Sequence, residues 1–277
     1  MKADGRIRAF AWEVWNLYSQ KRLARAAAAM SYHLTMTFFP LIICLYALFG
    51  QSYATAVRLL DYLRRFLTPD AADMIDGYLK YLSEEGGLTV TVIAVTILAS
   101  STSAAMRVLI NTVNELQGQS RYKPAVNFLL GFVLALGMLA AFYFAFIVLL
   151  TGGSFVAFVE EKLPGRTPIS DWTWARFLLL GALGFAALWG LFSVFKPRRS
   201  RAKALPGALL STMAIVVMSW IFSMFIAVSS RYQLIYGSLA SVILLMYWLF
   251  LTCRMILAGA CVNAALNRVG QAGSQRR

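Results

Sequence analysis

The run Phe195-Lys-Pro-Arg-Arg-Ser-Arg-Ala-Lys203 divides two long stretches without a single charge, Phe177–Phe195 and Ala204–Ser230. A segment that crosses a bilayer needs about 20 apolar residues, because ~30 Å of hydrocarbon is crossed at ~1.5 Å per helical residue. Both flanking stretches meet that requirement, and the five cations between them mark a short loop that stays in the cytoplasm. Four further uncharged stretches qualify by the same rule: Ala26–Val57, Leu88–Met106, Pro124–Val159 and Tyr232–Cys253. The segments between the six stretches alternate in character, one set basic and the other holding most of the acids. Lys2, Arg6, Arg8, Lys21, Arg22 and Arg25 precede the first span, Arg121 and Lys123 precede the third, and Arg268, Arg276 and Arg277 follow the last. Most acids fall on the other set: Asp61, Asp70, Asp73, Asp76, Glu84, Glu85, Glu160, Glu161 and Asp171. The pattern predicts an all-α polytopic membrane protein with six transmembrane helices and both termini cytoplasmic.

Composition agrees. The chain has 277 residues, of which 60% are hydrophobic, so one membrane domain uses nearly all of it. The net charge of +14 would suggest nucleic acid in a soluble protein. Here the cations sit in short loops, where topology and anionic headgroups account for them, so no nucleic-acid partner is expected. Cys44, Cys253 and Cys261 lie in or beside apolar spans without metal-ligand spacing, and their odd number gives no disulfide framework. The first apolar stretch follows a basic segment and is too long for a cleavable signal, so it reads as a retained anchor.

Three regions follow along the chain. Residues 1–25 predict an interfacial amphipathic helix, with Ile7, Phe10, Val14, Leu17 and Tyr18 on one face and Trp12 and Trp15 nearby. Residues 26–268 form the membrane domain, and residues 269–277 a short basic tail. Within the membrane domain, the outer insertion at about 51–87 carries two apolar stripes: Val57, Leu60, Leu63 and Leu67, then Met74, Ile75, Tyr78, Leu79 and Leu82. Between them Thr68-Pro69-Asp70 opens a helix, and Gly86-Gly87 ends it. Ala99-Ser-Ser-Thr-Ser-Ala-Ala105 in the second span lets helix backbones approach closely. No internal repeat marks an inverted-repeat transporter.

The polar residues gather at one depth. Arg107 lies ~28 Å along the second span and Arg254 ~33 Å along the sixth, both near the cytoplasmic side. Asn111, Asn127, His33 and Asn263 fall at a similar level, whereas the central slab holds no carboxylate, Lys or Arg. Two readings stand open. In one, the arginines snorkel to inner-leaflet phosphates and the asparagines satisfy helix ends. In the other they line a polar vestibule in which Arg107 and Arg254 meet an anionic group. Pro40, within the first span, and Gly237, at the start of the sixth, are candidate hinges. No catalytic or metal site is expected. The cytoplasmic side has only Asp4, Glu13 and Glu115 as acids, the chain has one histidine, and no phosphate-cradling loop is present. No cofactor and no enzymatic activity are therefore expected.

Several runs carry a resemblance. These are Ala26-Ala-Ala-Ala-Met-Ser-Tyr32 with Phe38-Phe-Pro-Leu41, Ala104-Ala-Met-Arg107 with Asn111, Phe195-Lys-Pro197 with Leu205-Pro-Gly-Ala-Leu-Leu210, and Ile235-Tyr-Gly-Ser-Leu-Ala240 with Tyr247-Trp248, Gly259-Ala260 and Asn263-Ala-Ala-Leu266. In this order they resemble the YihY/BrkB family of bacterial inner-membrane proteins. The resemblance implies an integral membrane protein tied to envelope integrity or export. An older family label, ribonuclease BN, finds no supporting residues here. The family pattern has an acid where this chain has Cys261, which puts in doubt any shared mechanism that relies on that acid. The expected function is movement of an amphipathic, anionic lipid-like envelope molecule, such as a lipid or glycolipid. The alternative is a non-transporting scaffold for envelope protein partners. Membrane lipids and a second copy of the chain are the other partners expected.

Overall fold

A backbone in hydrocarbon has no water to bond, so each N–H and C=O must be satisfied within the chain, and helices do this locally. The computed structural model of the chain describes residues 10, 12–19, 22–48, 69–85, 87–118, 172–194, 204–228 and 239–274, and parts of 53–64 and 125–141. Among these, every regular element is helical. A short helix α1 covers residues 12–19. It is followed by α2 (Leu23–Leu48), α3 (Pro69–Glu85), α4 (Leu88–Gln117), α5 (Leu129–Ala141), α6 (Trp172–Val194), α7 (Leu205–Val228) and α8 (Leu239–Ser274). Four helices, α2, α4, α7 and α8, are long and apolar enough to cross a membrane, while α5 and the Leu178–Val194 part of α6 are shorter apolar helices.

The main core lies at one end of the bundle. Leu23, Ala27 and Met30 at the start of α2 pack with Met106, Leu109, Ile110, Val113 and Leu116 from the end of α4. Ala204 and Ala208 at the start of α7 join Cys253, Leu257, Ala260 and Cys261 from the second half of α8, and Phe192 enters from the end of α6. Starts of α2 and α7 therefore meet ends of α4, α6 and α8, as neighbours of alternating direction require. Arg22, Arg25 and Arg268 are exposed at this basic end. At the other end Tyr46 of α2, with Ala56 and Leu60, packs under Leu79 and Leu82 of α3. Asp61, Asp73 and Glu84 are exposed there, and Arg64 lies 3.4 Å from Asp61 and 3.7 Å from Asp73. Between the two ends, Val92, Ile93 and Val95 of α4 and Val216, Val217, Trp220 and Ile221 of α7 are exposed. Apolar side chains left outward in a band between two charged ends fit contact with lipid tails.

The sequence stripes map onto this frame. Helix α3 starts at Pro69 and buries Ala72, Leu79 and Leu82, with Ile75 and Tyr78 partly buried beside them. Leu60 of the earlier stripe is buried; Leu63 and Leu67 lie outside the described residues. The small-residue run of α4 buries Thr102, Ser103 and Ala105, and α4 makes its most extensive contact with α2. Gly118 closes α4 in the left-handed region, at φ 69°, where its N–H donates to the Asn114 and Glu115 carbonyls. Helix α2 runs unbroken through buried Pro40. Thr35 and Thr37 return their hydroxyls to the Ser31 and Leu34 carbonyls in the turns before it.

The closest approach joins α7 to α8. Gly207 and Gly259 face each other so tightly that a Cβ on Gly207 would meet the Gly259 carbonyl oxygen and Asn263, and one on Gly259 would meet Ser211 Oγ. Ser211 Oγ donates to the Met255 carbonyl at 3.0 Å across the same crossing. Small residues let the backbones touch, and dispersion then acts over the whole contact. Gly259→Ala should therefore lower stability by ~1–3 kcal/mol, the usual cost of overpacking. Gly77→Ala on α3, where nothing lies within 4 Å of the added carbon, should be neutral or stabilising by ~0.5–1 kcal/mol. Thermal unfolding of the purified protein in detergent separates the two.

Candidate functional site at the basic end

Three contacts fix how α1 sits. Glu13 and Arg268 pair at 3.0 Å, the Cys261 thiol donates to the Val14 carbonyl at 3.4 Å, and Arg254 reaches the Tyr18 hydroxyl. As the residue number rises along α1 it falls along α8, so α1 runs antiparallel to the second half of α8. The apolar face read from the sequence is the face used. Leu17 is buried, and Phe10, Val14 and Tyr18 pack against the same core. Trp12 and Trp15 point away, 66% and 71% exposed. An amphipathic helix that finds polar partners on α8 docks there, keeping its indoles for the surrounding interface.

Arg254 is the most informative side chain. Its Nε–H donates to the Tyr18 hydroxyl at 2.9 Å, and an Nη2–H donates to the same oxygen. The guanidinium lies 5.7 Å from the Tyr18 ring centroid and 5.6 Å from that of Phe250. It is half-buried, and among the described residues no carboxylate pairs with it. Asn263, nine positions on along α8, bonds the start of α7 and so marks the level where that helix begins. At ~1.5 Å per residue Arg254 lies ~13 Å from that level. A cation held beside the Phe250 ring and the Tyr18 phenol has no counter-ion in them, because neither partner is an anion.

The other predicted residues divide. Asn263 is buried and structural: its Oδ1 accepts the Gly207 N–H at 2.9 Å and its Nδ2 donates to the Ala204 carbonyl at 3.2 Å. It caps α7 from a neighbouring helix, satisfying one of the N–H groups a helix start leaves unpaired. Arg107 Nη1 donates to Ser103 Oγ at 2.8 Å, one turn back on α4, and its aliphatic stem lies against Gly131 of α5. His33 is half-buried, with its ring edge-on to Tyr32 at 5.4 Å. Asn111 is exposed. Asn127 and the candidate hinge Gly237 lie outside the described residues. Arg254 and Asn263 thus share α8, whereas Arg107 is held on α4 and α5.

Two contributors escaped the sequence reading. Tyr18 falls on the apolar face that the periodicity picks out, yet its hydroxyl carries the contact with Arg254. Arg268 reads as a topology charge, yet it donates to Glu13 and, through Nη2 at 3.0 Å, to the Leu116 carbonyl at the end of α4. A cation near terminal helix carbonyls is a readable signal, although its partner helix is not. Cys261 is buried with its thiol toward a carbonyl, a place suited to a donor and not to a carboxylate. Among the described residues no group of three His, Cys, Asp or Glu side chains comes together as a metal site would need.

The family model for virulence factor BrkB matches residues 14–277, from the middle of α1 through α8 and beyond. The chain belongs to the virulence factor BrkB family. Among relatives of this BrkB-family chain, a UPF0761 membrane protein of Xanthomonas campestris pv. campestris (strain B100) is 27% identical over 276 residues, covering 96% of this chain and 63% of the relative. A second, from Neisseria meningitidis serogroup B (strain MC58), is 24% identical over 278 residues, covering 96% of this chain and 65% of the relative. The chain therefore spans less than two thirds of the length of these relatives. No solved structure matches it.

The capping role of Asn263 makes a direct expectation. Asn263→Ala strands the Gly207 N–H in a buried place and should cost ~1–3 kcal/mol. Asn111→Ala, on an exposed face, should change stability by less than ~0.5 kcal/mol. Denaturation of the two variants in the same detergent measures the difference.

Proposed function

We propose that this BrkB-family membrane protein engages and moves an amphipathic, anionic lipid-like molecule at the basic end of its bundle. The observation that carries the reading is the guanidinium of Arg254, set below the start of α7 with aromatic and phenolic partners and no paired carboxylate among the described residues. A cation placed at apolar depth favours an anionic partner, because the energy needed to hold it there falls when an opposite charge arrives. Arg107, at the matching end of α4, is the second cation of the reading. In this account the chain crosses the inner membrane six times, with both termini in the cytoplasm, so that the basic end meets the inner leaflet. Charge sorting along the sequence supports that orientation, and the convergence of helix starts and ends at the basic end supports the alternation. In this reading the protein acts without chemistry of its own, and the residues at the basic end bind and position.

Binding of a fluorescent anionic phospholipid to the purified protein, against a zwitterionic analogue, tests the reading. Replacing Arg107 and Arg254 together by alanine should weaken anionic binding by roughly tenfold or more, since each charged hydrogen bond contributes ~1.5–3 kcal/mol. Membrane insertion should persist. A folded double variant that binds as the parent does contradicts the reading and favours the alternative of a non-transporting scaffold.

A further inference from the structure

Helices α7 and α8 touch at Gly207 and Gly259, and beyond that crossing Trp248 Nε1–H of α8 donates to Ser219 Oγ of α7 at 3.2 Å. Between them runs an open, apolar groove of about 790 Å³, lined by Met218, Phe222, Leu244, Tyr247, Leu251 and Met255 among others. Tyr247 is 51% exposed at its mouth, with Val217 and Ile221 on the opposite wall also exposed, so the groove opens sideways into the lipid-facing band. Its lining on α8 recurs at positions 243, 244, 247, 251 and 255, one face of the helix. Arg254 falls on that face by the same periodicity.

A ladder of rings connects the groove to the cation. Phe225 stacks on Phe222 at 6.3 Å, Phe222 meets Tyr247 at 6.2 Å, and Tyr247 meets Phe250 at 6.4 Å. Phe250 then carries the Arg254 guanidinium, whose N–H edge bonds the Tyr18 hydroxyl. The groove is thus apolar along its length, and the Arg254 guanidinium lies beyond its lining, one ring further on at Phe250. From Met255 to Ile243 it runs 12 helical steps along α8, ~18 Å, long enough to take an acyl chain that fills one ~15 Å leaflet.

We infer that the α7–α8 groove holds one acyl chain of an anionic phospholipid whose headgroup takes the place of the Tyr18 hydroxyl on Arg254. This rests on the proposed function and specifies its ligand and route. Charge complementarity selects the occupant: a second copy of an apolar helix would fill the groove and leave the guanidinium without an anion. The Tyr18 phenol holds the donors of Arg254 in orientation while the site is empty of lipid. An arriving phosphate, a stronger acceptor, displaces it and so loosens the contact of α1 with α8 at that point.

The test uses the full chain in nanodiscs containing phosphatidylglycerol that carries a diazirine in its acyl chain. Phosphatidylcholine with the same chain is the control. Adducts should concentrate on peptides containing Phe222 and Tyr247, with phosphatidylglycerol labelling them roughly tenfold more than phosphatidylcholine. Arg254→Ala should equalise the two lipids. Tyr18→Phe, which keeps the ring and removes only the hydroxyl, should increase phosphatidylglycerol labelling. Ala214→Trp should remove the groove adducts. Adducts spread evenly over Val92, Val95 and the groove would overturn the groove assignment, as would cross-links between two copies through α7. If a preference for phosphatidylglycerol that depends on Arg254 survives in that result, the function proposed above stands without the groove. Absence of any such preference overturns both.

Discussion

Charge is excluded from hydrocarbon, and the rest of this structure follows from how that exclusion is met. An uncompensated ion in a bilayer costs several kcal/mol or more, so charged side chains collect at the two ends of the bundle, Arg22, Arg25 and Arg268 at one and most of the described acids at the other. The spans between them are apolar all round and offer little hydrophobic reason to associate, because lipid tails are as apolar as leucine. Association must come from close packing and polar contacts instead. Both are present at the basic end: the Gly207–Gly259 crossing, the Ser211 hydroxyl on the Met255 carbonyl, and Asn263 capping α7. The main buried core lies at this end too, joined by Leu17 of α1.

Helix α1 links that packing to function. Its apolar face seals the core, its Glu13 pairs with Arg268, and its Tyr18 occupies Arg254. Arg268 in turn bonds the Leu116 carbonyl, so one side chain ties α1, α4 and α8 together. Whatever alters the Tyr18–Arg254 contact acts on the element that closes the basic end. A ligand for Arg254 is therefore coupled to the position of α1 by direct contact, without any long-range relay.

Much of the helical architecture was legible because it depends on local properties. Uncharged length marks an apolar helix, and four of the six uncharged stretches coincide with helices long and apolar enough to cross a membrane. Pro69 placed the start of α3, and the Leu79 and Leu82 stripe placed its buried face. The roles of individual polar residues were less legible, because their partners are distant in sequence. Asn263 reads as one of several polar groups at a common depth, yet its partners Gly207 and Ala204 lie 56 and 59 positions away. Arg254 finds Tyr18 across 236 positions. Hydrophobic periodicity placed Tyr18 correctly on the packed face, but a period does not report where a hydroxyl points. Depth alone likewise grouped His33, Asn111 and Asn263, which the fold places half-buried, exposed and buried.

The central claim is that the two charged ends lie on opposite faces of the inner membrane, with the basic end in the cytoplasm. Single cysteines at Arg25 and Glu84, both exposed, report the faces directly once Cys44, Cys253 and Cys261 are replaced. A membrane-impermeant maleimide is applied to intact spheroplasts and then to lysed ones. The account predicts labelling of the Glu84→Cys protein in intact spheroplasts and of the Arg25→Cys protein only after lysis. Labelling of Arg25→Cys in intact spheroplasts, or of both positions from one side, would contradict it.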